Sequence, residues 1–208
     1  MTQKSNKLIE VLSRYAVVSD DIQDALRRLV PVKEFGKGAV LLREGNTAGE
    51  CYFVLEGCIR CYYLKDGVDK TAEFYTEGDV ASPVTYGSAE PSPCWLECVE
   101  PVLAAVGTPE SENEMYAHNP EMEKINRVMA EAVMAKYQRT HNEYKNNTPE
   151  ERYAHLVETR PDLLDRVPHY QIASYLGIAP ESLSRIRKRL KAAQKGKKIE
   201  RIYKVTNF

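Results

Sequence analysis

The chain has 208 residues, enough for one large or two small domains with a real core. Hydrophobic residues make up 43% and charged residues 28%, the balance of a folded, water-soluble protein, and no apolar run approaches the roughly 20 residues of a bilayer span. The net charge of −1 hides an asymmetry: residues 148–208 hold 13 Lys+Arg against 7 Asp+Glu, and residues 1–147 hold 16 against 23. A basic C-terminal unit on an acidic body points to a polyanionic partner for the C-terminal part alone.

The opening stretch MTQKSNKLIEVLSRY lacks the apolar centre of a secretory signal, so a cytoplasmic location is expected. Residues 6–30 read as an amphipathic helix pair, Leu8, Ile9, Val11 and Leu12 forming one stripe and Ile22, Ala25, Leu26 and Leu29 the other. Ser19 is placed to cap the second helix, with acidic residues in its first turn. From Val32 to about Val106 the pattern changes to short strands punctuated by Gly38, Gly45, Gly57, Gly67 and Gly78, with Lys65-Asp66-Gly67 a hairpin signal. Val99 to Val106 is expected to supply a last apolar strand. Regular short strands with turn signals argue for a compact β-barrel or sandwich.

Five cysteines are an odd number and do not close a disulfide framework. Cys58 and Cys61 stand three apart in a strand-like run, which puts them on opposite faces, so buried reduced thiols are expected rather than a metal site. Pro120 to about Tyr144 reads as one long helix, with Asn119 as candidate cap and Met122, Ile125, Met129, Ala132, Val133 and Tyr137 as a near-heptad stripe. Lys145-Asn146-Asn147 is a polar break. Thr148-Pro149-Glu150-Glu151 then matches a capping box, and a domain boundary is expected there.

Pro168 to Leu190 carries the clearest motif. Ile172, Ala173 and Leu176 form one buried stripe, Gly177 suits a left-handed helix end, and Pro180 suits the first position of a second helix. Leu183, Ile186 and Leu190 make that helix's apolar face. At about 100° per residue, Glu181, Ser184, Arg185 and Lys188 fall on the opposite face. Two amphipathic helices joined by a short glycine-containing turn are a helix-turn-helix signature. Arginine can donate a bidentate pair to guanine, and glutamate can accept from the cytosine amino group. In the tail, Lys191, Lys195, Lys197 and Lys198 surround Gly196, and Ile199, Ile202 and Val205 alternate with polar residues; a short β-hairpin wing is expected.

IASYLGIAPESLSRIRKRL resembles the DNA-binding motif of the Crp/Fnr superfamily of bacterial transcription regulators, and GKGAVLLREG, YFVLEGCIR and FYTEGDV resemble the turns of its cyclic-nucleotide-binding β-roll. The resemblance implies an α+β fold: a β-roll sensor domain over 1–118, a dimerisation helix and hinge over 119–147, and a winged helix-turn-helix domain over 148–208. It implies base reading by Glu181, Ser184 and Arg185, phosphate contacts by His169, Tyr170, Ser182, Lys188, Lys197 and Lys198, and a homodimer seam through Met122, Ile125, Met129, Ala132, Val133 and Tyr137. Pro180 departs from relatives that carry a contact residue there.

The ligand cassette also departs. Nucleotide-binding members place a glutamate on the ribose and an arginine on the cyclic phosphate, and the stretch from Gly78 to Gly87 and from Pro91 to Trp95 has neither. A buried phosphate without a cation or a set of amide donors is costly. Cyclic AMP is therefore not expected. No cysteine cluster precedes residue 50, so the Fe–S cluster of the oxygen-sensing branch is not expected either. No cofactor is predicted and the effector is left unnamed, although Tyr86, Trp95, His118 and the cysteines are noted as residues that could line a pocket.

The expected function is a homodimeric regulator reading a near-palindromic double-stranded DNA operator through the 180–190 helix, with RNA polymerase a partner the resemblance allows and no membrane partner. The alternative is a small-molecule or redox sensor module, holding a haem or another ligand, with DNA binding secondary. An enzyme is not expected: the chain has no Gly-rich phosphate loop, no His-x-x-His pair, no nucleophile elbow and only four histidines.

Overall fold

The computed structural model of the chain describes residues 3–14, 17–190 and 192. Helices α1 (Gln3–Leu12) and α2 (Asp20–Leu29) precede eight strands: β1 (Val32–Phe35), β2 (Val40–Leu42), β3 (Cys51–Glu56), β4 (Ile59–Lys65), β5 (Val68–Tyr75), β6 (Val80–Ala81), β7 (Trp95–Cys98) and β8 (Val102–Gly107). Helices α3 (Pro109–His118), α4 (Pro120–Asn146), α5 (Pro149–Thr159), α6 (Leu163–Arg166) and α7 (His169–Tyr175) follow, and a further helix, α8, covers 180–190. The chain divides into two compact units, Met1–Asn142 and Glu143–Phe208.

In the first unit the strands form two antiparallel sheets, ordered β1-β8-β3-β6 and β2-β7-β4-β5. In the first sheet β3 and β8 are buried on both faces, and their sequences show it. Tyr52 and Val54 of β3 point into the roll, whereas Phe53 and Leu55 point out beneath the helices. Val102, Ala104 and Val106 of β8 alternate in the same way with Leu103 and Ala105. The period of two is therefore intact, but both phases are apolar because two cores share one sheet. The inner core takes Ile59, Leu96 and Cys98 from the second sheet, and the outer core takes Leu8, Leu12, Ile22, Leu26 and Met115 from the helices.

The turn glycines stand where side chains do not go. Gly38, Gly45, Gly57 and Gly78 all have positive φ. At Gly57 (φ +95°) a Cβ would also collide with the Pro101 carbonyl oxygen. Only glycine combines that backbone with that approach.

Several sequence expectations need correction. The strand read from Val99 begins at Val102, because residues 99–101 turn the chain out of β7, a strand the sequence reading missed. Helix α3 was missed as well. Its signal is Thr108-Pro109-Glu110-Ser111, a second Thr-Pro-Glu start; Ser111 N–H donates to Thr108 Oγ1 (3.2 Å) and Thr108 N–H to Ser111 Oγ (2.9 Å). Asn119 does not cap α4 with its side chain; its Nδ2 donates to the Met115 carbonyl (3.1 Å) and closes α3. Helix α4 itself runs to Asn146, two residues beyond the expected end.

In the second unit, the capping box of α5 is formed as the sequence implies. Glu151 N–H donates to Thr148 Oγ1 (3.3 Å), and Thr148 N–H donates back to Glu151 Oε2 (2.8 Å). Tyr153, Leu156, Leu163, Val167, Ile172, Ala173, Leu176, Leu183 and Ile186 are buried and form the apolar interior of this unit.

Candidate nucleic-acid interface and sensor cavity

Helix α7 ends in a Schellman motif. Ile178 N–H donates to the Ala173 carbonyl and Gly177 N–H to the Ser174 carbonyl, both at 3.0 Å. Gly177 has φ +69°, and a Cβ there would meet the Tyr144 hydroxyl. The turn is thus closed by its own backbone and by a ring that leaves no room for a side chain. Tyr144 is fixed in turn by Arg152, whose guanidinium lies 4.3 Å over the ring and donates to the Tyr144 carbonyl (3.1 Å).

Helix α8 starts at Pro180, with the Ala179 carbonyl accepting from Ser182 and Leu183 N–H (3.0 and 3.1 Å). One face buries Leu183 and Ile186, each contributing about 1.5–3 kcal/mol by removal from water. The other face presents Glu181, Ser184, Arg185 and Lys188, all exposed. Arg185 is parked against its own helix: Nε donates to the Glu181 carbonyl and a terminal nitrogen to Ser182 Oγ, both at 3.4 Å. These bonds are long and exposed, so little holds the side chain there. Arg189 pairs with Glu150 (2.6 Å), which ties α8 to the start of α5.

His169 and Tyr170 open α7 and are exposed; the Tyr170 hydroxyl accepts from Gln171 Nε2 (3.2 Å). Gln171 escaped sequence reasoning. It is buried, and its Oε1 finds no partner among the described residues. Its position next to two exposed polar residues at a helix start was the only available signal. Lys197, Lys198 and the expected wing lie outside the described residues.

On α4 the six seam residues divide. Ile125 is buried, and Met122 and Met129 pack against the core beneath the helices. Tyr137 Oη lies 3.1 Å from Tyr75 Oη of β5, Val133 is half-buried and Ala132 is exposed. Lys136 Nζ donates to Asp79 Oδ1 (2.8 Å) from the same helix. Val128, 54% exposed, stands on the uncovered side with Ala132.

Tyr86, Trp95 and His118 do not meet in one pocket. Tyr86 Oη donates to Glu112 (3.0 Å), Trp95 stacks on Tyr62 at 6.0 Å, and the exposed His118 ring turns to the Glu114 carbonyl (3.0 Å). All five cysteines are free. Cys94 is held below the usual thiol range by its hydrogen bonds to Cys61 and Ser92. Along Pro83–Trp95 there is no Lys or Arg. The one buried guanidinium among the described residues, Arg60, is committed to Asp69 (3.1 Å) and Glu97 (3.3 Å). None of these supplies a cation to a phosphate inside the roll.

A cavity of about 150 Å³ lies between the helices and the outer face of the first sheet. Leu12, Leu26, Phe53, Met115, Ile125 and Met129 are among its apolar wall residues, and Cys51 and Glu112 are among its polar ones. Burial pushes the Cys51 thiol up to about 11, so it stays protonated and donates to Glu112 Oε1 (3.6 Å).

Residues 32–119 match the family model of the cyclic nucleotide-binding domain. No curated protein matches the sequence. Among solved structures, the c-di-GMP-responsive global regulator CLP of Xanthomonas campestris is 15% identical with a TM-score of 0.64, covering 82% of this chain and 91% of that one. FixK2 of Bradyrhizobium japonicum is 21% identical with a TM-score of 0.62, covering 79% and 86%. A CooA mutant of Carboxydothermus hydrogenoformans is 16% identical with a TM-score of 0.65, covering 89% and 84%. No helix among the described residues is long and apolar enough to cross a membrane. Residues 32–119 therefore match the cyclic nucleotide-binding domain, and the chain shares its fold with these three solved structures.

Proposed function

We propose that the protein is a cytoplasmic, homodimeric transcription regulator that binds double-stranded DNA. Residues 1–118 act as sensor, 119–147 as dimerisation helix and hinge, and 148–208 as the DNA-binding domain. The observation that carries the reading is the two-sided character of α8: Leu183 and Ile186 buried, Glu181, Ser184, Arg185 and Lys188 exposed on the other side. An arginine and a glutamate one turn apart can read a guanine and a cytosine amino group in the major groove. His169, Tyr170 and Ser182 stand at helix starts, where phosphate oxygens are held, and Lys197 and Lys198 add affinity without sequence information.

The dimer seam follows the uncovered side of α4. Residues 128, 132, 135, 139 and 142 recur in four- and three-residue steps, the spacing of a two-helix seam, and the alanines at 132 and 135 allow close approach. Met122 and Met129 support this seam from beneath by fixing α4 on its own domain. Two reading helices held by such a seam lie ~34 Å apart on one face of the duplex, so the operator is a near-palindrome. Enrichment of bound duplexes from random DNA tests this. A near-palindromic consensus is expected, and recovery of unenriched sequence at low salt would sink the reading.

A further inference from the structure

The cavity between the helices and the outer face of the first sheet lies outside the roll, on the opposite side of β3 and β8 from the inner core. Its wall is mainly apolar, with Cys51, Ser111, Glu112, Tyr116 and Asn126 as polar members. Glu112 of α3 receives the Tyr86 hydroxyl (3.0 Å) and the Cys51 thiol (3.6 Å), both on Oε1. Gly107 leaves room for this arrangement: a Cβ at that position would lie 3.0 Å from Cys51 Sγ and 3.5 Å from Glu112 Oε1. A carboxylate on the wall of an apolar cavity is costly unless its oxygens are paired. Both of these donors act on Oε1, and Oε2 of the half-buried carboxylate can accept from a further donor.

We propose that this cavity is a ligand site for a compact, mainly apolar molecule, about the size of a single aromatic ring with a short substituent, bearing one amine or hydroxyl that donates to Glu112. The size follows from the volume, since a dry apolar cavity of about 150 Å³ takes up benzene. Adaptability follows from Met115, Met122 and Met129, whose unbranched side chains re-pack around different shapes. Ile125, Met122 and Met129 come from α4, so an occupant touches the helix on which the proposed dimer seam lies. That regulatory consequence rests on the function proposed above; the binding itself does not.

The test uses the full chain with benzylamine, phenol and toluene as probes, followed by calorimetry and by NMR of the methionine methyl groups. Saturable one-to-one binding of benzylamine is expected, with the Met115, Met122 and Met129 methyls shifting. Glu112→Gln should weaken benzylamine at least tenfold and leave toluene unchanged. Ala105→Met, which projects into the cavity from β8, should abolish binding of all three. Absence of saturable binding, or methyl shifts confined to Met134, would overturn the proposal. Undiminished benzylamine affinity in Glu112→Gln would do the same. If Ala105→Met fails to fold, the methyl shifts in the unaltered protein still decide the location. DNA enrichment is scored separately, so a failed cavity and a failed DNA reading are distinguishable.

Discussion

The hydroxyls of Tyr75 and Tyr137 lie 3.1 Å apart and join strand β5 of the roll to helix α4. Tyr75 is buried, and burial holds its hydroxyl well above the ordinary tyrosine range; Tyr137 is raised for the same reason. The bond therefore persists through the physiological pH range. Tyr137→Phe leaves the Tyr75 hydroxyl buried without this partner and should cost about 1–3 kcal/mol, whereas removing both hydroxyls should be closer to neutral. A double-mutant cycle by urea unfolding checks this, and strictly additive losses would show that the two rings do not interact.

Gly177→Ala places a side chain at φ +69° and against the Tyr144 hydroxyl. The left-handed backbone alone should cost about 1–2 kcal/mol, and the collision adds to it. Tyr144→Phe removes the colliding oxygen. In that background the alanine should destabilise less, because the nearest remaining ring atoms are at 3.4–3.5 Å, ordinary contact. Thermal unfolding of the four proteins reads the difference, and equal losses in both backgrounds would refute the collision.

Arg185→Ala should cost about 1–3 kcal/mol on the enriched operator and relax selectivity at one base pair. Lys197→Ala with Lys198→Ala should instead weaken binding to all duplexes alike and flatten the slope of affinity against salt by about one per lysine. Fluorescence anisotropy over a salt series separates them. A lysine pair that altered sequence preference would contradict the assignment.

Val128→Glu and Ala132→Glu put charge on the uncovered side of α4 and should shift the protein from dimer to monomer in analytical ultracentrifugation. Met122→Ala should act differently, lowering the stability of the first unit by about 2–4 kcal/mol through lost packing. A monomer produced by Met122→Ala and not by Val128→Glu would return the seam to the other stripe.

Glu151 is held below its ordinary value of 4.5 by the Thr148 backbone N–H and hydroxyl. A lowered folded-state pKa adds stability that is present above 4.5 and lost as pH falls through the lower folded value. Between pH 5 and pH 3 the unaltered protein should therefore lose more of its melting temperature than Glu151→Gln, which keeps a capping acceptor but does not titrate. Parallel melting curves for the two would remove the charged cap from the account.

Much of the fold was legible because its signals are local. The Thr148–Glu151 box, the Ser19 cap and the Gly177 turn depend on residues within a few positions of each other, and the structure forms all three. The same kind of signal at Thr108–Ser111 was present and went unread, which left α3 out and misassigned Asn119. Strand β7 was lost for a different reason: it follows a run of prolines and serines, and its pairing with β2 and β4 makes it a strand.

The amino-acid sequence by itself determined where helices begin, where glycines turn the chain and which side of α8 is charged, since each depends on spacing along a few residues. The tertiary structure alone decided which apolar stripe meets which surface. Met122 and Met129 have the heptad spacing of a dimer seam, yet they pack under α4 on the outer core, because burial is a contest among all apolar faces that the fold brings near. It also decided that Cys51, Gly107 and Glu112 line one cavity, with the Tyr86 hydroxyl donating to Glu112. They are scattered over the chain, and only the antiparallel pairing of β3 with β8 and the return of α3 bring them together.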